Sequence, residues 1–144
     1  GQLGFGTTST EVSSPVQVGA LTDWASISAN KQAGLAIKTD GTLWSWGKND
    51  YGQLGNGNTT QTSSPVQVGA LTDWALIAGG NRQVRAVKTD GTLWAWGQNT
   101  NGQLGVGDTT NRSSPVQVGA LTTWLEIVGV HGLGEAFTLM IKSP

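Results

Sequence analysis

The chain repeats itself. The decapeptide Ser13-Ser14-Pro15-Val16-Gln17-Val18-Gly19-Ala20-Leu21-Thr22 recurs letter for letter at 63–72 and again at 113–122. A tryptophan follows each copy two residues on, at Trp24, Trp74 and Trp124. Lys38-Thr39-Asp40-Gly41-Thr42-Leu43-Trp44 recurs at 88–94, and Gly-Gln-Leu-Gly stands at 1–4, 52–55 and 102–105. A unit repeated at fixed period folds as one supersecondary element and buries its apolar surface against its neighbours. The three units are expected at about 1–51, 52–101 and 102–144, with the structural element cut at both ends.

Turn chemistry sets the class. Glycine is abundant, Ser and Thr are frequent, and short apolar stretches lie between turn signals without any helical stripe. That pattern predicts an all-β chain with almost no helix. The clearest hairpin joins Leu35–Thr39 to Thr42–Trp46 across Asp40-Gly41. Read as a two-residue type I′ loop, it places Ile37 opposite Trp44 and Leu35 opposite Trp46. One face is then bulky, and Ala36 and Ser45 make the other face small. Proline at 15, 65 and 115 has no N–H to give a ladder, so it should open a strand or lie on an edge. Val16-Gln17-Val18 reads as a short strand, and Trp24-Ala25-Ser26-Ile27 as the next one. About four short strands in roughly fifty residues fit a β-propeller blade better than a solenoid coil.

The residues also resemble a known family. Gly41-Thr42-Leu43-Trp44-Ser45-Trp46-Gly47, then Asn49, Gly52-Gln53-Leu54-Gly55, Gly57 and Pro65-Val66, is similar to the regulator-of-chromosome-condensation repeat. So is Gly91–Gly97 with Asn99, Gly102–Gly105, Gly107 and Pro115-Val116. The resemblance implies blades of four antiparallel strands, usually seven to a ring. Its members include a nucleotide-exchange factor for a small GTPase, ubiquitin-ligase subunits and a secreted inhibitor of β-lactamase, so it implies a fold and not one function. The family places a histidine before the strand leading to the Asp-Gly turn. Here Ala33 and Gln83 stand there, and Phe137 in the third copy if Thr138–Lys142 aligns with Gly34–Lys38. That alignment needs an insertion near Gly129–Gly132, which holds the single histidine, His131. The insertion with which the exchange factor wedges into its GTPase has no counterpart in these uniform repeats.

Composition excludes several classes. A formal charge of −1 with 12% charged residues argues against a nucleic-acid binder, since the cations form no basic face. No apolar run approaches the ~20 residues of a membrane span, so membrane insertion is not expected. With no cysteine and one histidine, neither a cysteine–zinc site nor a nucleophilic triad independent of His131 is available. Asp23, Asp73, Asp40 and Asp90 read as turn residues. The Gly55–Thr60 and Gly105–Thr110 loops lack the lysine of a phosphate-binding loop. No catalytic residue, cofactor or metal site is therefore expected.

Seven tryptophans invite a sugar-binding reading. Trp44, Trp46, Trp94 and Trp96 alternate along strands and read as inter-blade packing. Trp24, Trp74 and Trp124 follow a turn and are the candidate ligand or partner contacts. Between the first two units the strand segments are nearly constant, whereas 28–34 and 48–51 diverge from 78–84 and 98–101. Constant scaffold with changing loops is the habit of binding proteins. The expectation is a non-catalytic scaffold that meets a protein partner, or alternatively a glycan. Further blades of the same polypeptide or other copies would close the ring. The chain begins at Gly1 without a methionine, as a processed or excised polypeptide would. Near-identical copies suggest recent duplication and an extracellular or virion-associated setting.

Overall fold

The computed structural model describes residues 1–6, 14–20, 22–128 and 138–141. Every regular element among them is a strand. The first sheet holds β1 (Trp24–Ala29), β2 (Ala33–Lys38), β3 (Leu43–Gly47) and β4 (Thr62–Gln67), in that order and antiparallel. The second repeats it with β5 (Trp74–Gly79), β6 (Gln83–Lys88), β7 (Leu93–Gly97) and β8 (Arg112–Gln117). In a third, β9 (Trp124–Val128) pairs with β10 (Thr138–Ile141). Successive sheets touch through their leading strands, with β5 on β1 and β2 and β9 on β5 and β6. These are propeller blades.

The Asp-Gly turns do sit at the hairpin tips, but the loop has three residues, not two. Lys38 N–H donates to Thr42 O and Gly41 N–H to Lys38 O, both at 3.0 Å. Positive φ falls on Gly41 alone (77°), whereas a type I′ turn would require it of Asp40 as well. The Asp40 carboxylate explains the choice. Its Oδ1 accepts from Thr42 N (2.9 Å) and Thr42 Oγ1 (2.6 Å), which closes the loop as a turn followed by a bulge. One extra loop residue shifts the pairing by one and turns each side chain to meet a different partner. Leu35 lies across from Ser45, Ala36 from Trp44, and Gly34 from Trp46. The large rings therefore share a face with the smallest residues. A Cβ at Gly34 would fall 2.3 Å from the Trp46 ring.

That register makes two unlike faces which fit each other. Leu35, Ile37 and Leu43 from the first blade pack with Trp74, Ile77, Val84, Ala86 and Trp96 of the second in one buried cluster. Each fully buried side chain of this kind contributes ~1.5–3 kcal/mol. The Gly-Gln-Leu-Gly segment straps the junction. Gln53 O accepts from Trp96 Nε1 at 3.1 Å, as Gln2 O does from Trp46 Nε1 at 3.0 Å.

The prolines lie on the outer edge strands β4 and β8, although each strand begins three residues before its proline. The pairing slips between Ser45↔Val66 and Gly47↔Thr62, so the residue without an N–H sits where the ladder is already broken. Residues 14–18 form no strand, and none of the described strands pairs with them. In the third sheet Ile141 pairs with Trp124, as Lys38 does with Trp24. Thr138–Ile141 thus corresponds to Leu35–Lys38, one position along from the alignment expected. Phe137 and His131 lie outside the described residues.

Candidate interaction surface

The loops fall at two ends of the blades, because antiparallel strands alternate direction. One end carries the hairpin tips 39–42 and 89–92 and the connections 68–73 and 118–123. Its residues are locked and repetitive. Lys38 Nζ lies 3.5 Å from Asp23 Oδ2, 5.4 Å from the Trp24 ring centroid and 4.5 Å from that of Trp44. Lys88 repeats this with Asp73 (3.3 Å), Trp74 (5.2 Å) and Trp94 (4.5 Å). Trp44 Nε1 donates to Thr42 Oγ1 at 2.9 Å, and Trp94 to Thr92 likewise. A cation held between two indole faces and a carboxylate is attracted by both the ring quadrupoles and the charge. This accounts for the verbatim Asp-Trp and Lys-Thr-Asp-Gly-Thr-Leu-Trp segments.

Two of the three tryptophans singled out from sequence, Trp24 and Trp74, are drawn into this packing. Trp24 meets Trp44 edge-on at 6.2 Å and Trp46 at 6.3 Å, and Trp74 meets Trp94 and Trp96 at 6.1 Å. Trp74 is only 3% exposed, while Trp24 and Trp124 are half-buried. Trp24, with Ile27, Trp46, Phe5 and Val16, borders an apolar cavity of about 550 Å³ on the open side of the first blade. That is the face which, on the second blade, receives Leu35, Ile37 and Leu43. Among the described residues no group of three or more metal-ligating side chains converges.

The opposite end is built from the divergent loops. Residues 30–32 all differ from 80–82, and 48, 50, 51, 56, 58 and 61 differ from their copies, while 39–42 matches 89–92 letter for letter and 68–73 differs from 118–123 only at Asp73, which is Thr123. Buried asparagines hold the long loops in shape. Asn49 Oδ1 accepts from Leu54 N at 2.9 Å, and its Nδ2 donates to Asn58 O and Thr60 O, both at 3.0 Å. Asn99 does the same with Leu104 N (2.9 Å) and Asp108 O (2.8 Å). Neighbouring loops join across the junction. Lys31 N–H donates to Asn81 O at 3.3 Å. Arg82 Nη1 donates to the Tyr51 hydroxyl at 3.2 Å, with its guanidinium carbon 4.9 Å from that ring's centroid.

Comparison with known proteins agrees with this architecture. Models of the regulator of chromosome condensation (RCC1) repeat match residues 40–87 and 90–140, and a second model of the repeat matches 24–53. The chain belongs to the RCC1 repeat family. Human WBSCR16 superposes with a TM-score of 0.81 at 22% identity, over 99% of this chain and 37% of that one. Prp20p from Saccharomyces cerevisiae, described with its binding properties to Gsp1p and histones, superposes at 0.67 and 20% identity, over 76% and 30%. A Danio rerio RCC2 homolog is 68% identical over 25 residues, 17% of this chain and 5% of that protein. The chain thus spans well under half of the relatives it matches.

Two features of this RCC1 array escaped the sequence reading. The Lys38 and Lys88 sandwiches left a signal, since a lysine kept verbatim between paired tryptophan positions asks for a partner. The Arg82–Tyr51 contact left none, because its residues are 31 positions apart in unrelated loops.

Proposed function

We propose that this chain is part of a non-catalytic propeller ring that acts as a protein-interaction scaffold, its partner meeting the loops at the Lys31–Arg82 end. One observation carries the reading. The loop positions that distinguish otherwise matching repeats gather at one end of the blades, while the loops at the other end differ at a single position, Asp73 against Thr123. A rigid frame varied at a single rim is suited to recognition. That Prp20p is described with protein partners is in keeping with it. The alternative of a glycan stacked on Trp24 or Trp74 gains no support, since both rings are engaged in aromatic and cation packing.

The open face of the first blade supports the further reading that the ring is completed by additional blades, from the same polypeptide or from other copies. Ile27 is 79% exposed where Ile77 is 9%.

The test is capture of partners by the chain and by two variants. One carries Lys31→Ser, Tyr51→Ala and Arg82→Ser. The other carries Leu71→Ser and Leu121→Ser at the opposite end, two exposed leucines. A protein retained by the chain and the second variant but lost by the first supports the assignment. Loss in the second alone, or a hydrolytic or transfer activity of the purified chain, overturns it.

A further inference from the structure

Charge separates the two ends. Near the divergent loops stand Lys31, Lys48, Arg82 and Arg112 against Asp50 and Asp108. Near the hairpin tips and the 68–73 connection stand Asp23, Asp40, Asp73 and Asp90 against Lys38 and Lys88. With Arg85, which donates to Gln103 O among the divergent loops, the first end carries three positive charges in excess and the second two negative, within a chain whose formal net charge is −1. At the positive end Lys48 pairs with Asp50 at 3.0 Å and Arg112 pairs with Asp108. Lys31 and Arg82 make no ion pair among the described residues, and they come from loops bonded to each other through Lys31 N–H and Asn81 O.

Arg82 is held ready. The Tyr51 ring lies 4.9 Å from its guanidinium carbon, and one nitrogen is anchored to the Tyr51 hydroxyl. A planar guanidinium fixed in this way keeps a fork of N–H donors that matches the two oxygens of a carboxylate. The Tyr51 hydroxyl accepts from Arg82 and still has a proton to donate. A group immobilised before binding loses less freedom on binding. The clasp is particular to this junction. Gln32 stands at the position of Arg82 in the preceding repeat, and Asn101 at that of Tyr51 in the following one.

Resting on the interaction reading above, we propose that the Lys31–Tyr51–Arg82 junction receives an acidic polypeptide segment, one carboxylate taken by the Arg82 fork and a second by Lys31. A nucleic-acid strand fits less well. It presents a dense row of phosphates and needs a matching row of cations, whereas two free cations border neutral loops here, and the far end repels a polyanion.

Fluorescence anisotropy of a labelled oligo-glutamate peptide tests the proposal. Binding is expected at ~20 mM salt and should fade toward ~200 mM as the charges are screened. The Lys31→Gln/Arg82→Gln variant should bind about tenfold more weakly, and Asp40→Asn/Asp90→Asn at the other end no more weakly than the parent chain. The inference is overturned by absence of binding at low salt, by loss of binding in the Asp40/Asp90 variant, or by tighter binding of an oligothymidylate than of the peptide. The two readings separate cleanly. If the peptide fails to bind while the loop variant still loses its captured protein, the acidic partner falls and the interaction surface stands. If the peptide binds through Lys31 and Arg82 while the captured protein is indifferent to these loops, the interaction reading falls alone.

Discussion

The first and second blades are near copies whose burial differs. Trp24 and Trp74 stand at equivalent places against equivalent rings, yet Trp74 is enclosed and Trp24 is half-buried. Ile27 is 79% exposed and Ile77 9%. The local bonds of the two blades agree closely, from the Asp40 and Asp90 turns to the Lys38 and Lys88 sandwiches. What differs is the neighbour. The second blade has the Leu35–Ile37–Leu43 face against it, whereas among the described residues the first blade meets the segment carrying Gln2 and, across the cavity, residues 14–18. The stability of a repeat array therefore divides into a part internal to each unit and a part owned by the junction. A residue's contribution depends on which part it serves.

Removing the equivalent rings is the strongest way to break this comparison. Trp74→Ala should cost ~3–5 kcal/mol and Trp24→Ala less than about half as much, read by urea denaturation. Equal losses would mean that the first blade's face is covered in solution. A smaller effect, aimed at the same face, comes from the isoleucines. Ile77→Ala should cost ~2–4 kcal/mol and Ile27→Ala under about 0.5 kcal/mol. Light scattering sharpens this pair. If the chain self-associates and Ile27→Asp makes it monomeric, another copy occupies the open face.

Acid pH probes the part on which the blades should agree. The Asp40 and Asp90 carboxyls are held below the ordinary value of 3.8, first by the hydroxyls of Thr42 and Thr92 and then by their backbone N–H groups. Because the folded value is the lower one, the stabilisation is complete above 3.8 and is lost as pH falls through the folded value. Asp40→Asn and Asp90→Asn should each flatten the acid limb of melting temperature against pH, slightly and to the same extent. A larger change at Asp90 would show that the turn depends on its neighbour after all.

Much of the fold was legible because it is local. Glycine at 41 and 91, an aspartate before it and a threonine after it determine a tip wherever the chain goes. Asn49 and Asn99 organise loops through partners only eleven or twelve positions away, from Asn49 to Thr60 and from Asn99 to Asn111. The register was misread by one position, since a two-residue and a three-residue loop can both be drawn through Asp-Gly. The bond from Thr42 to Asp40 decides between them.

The sequence by itself determined the repeat, the all-β class, the hairpin tips and the family, because each rests on identity or on contacts within a few residues. Only the tertiary structure decided that the rings share a face with Gly34 and Ala36, that the divergent loops lie at one end, and that Arg82 stacks on Tyr51. Those facts depend on strand direction and on contacts across a junction. Such contacts form between residues far apart in the chain, where no periodicity or turn chemistry couples one letter to the other.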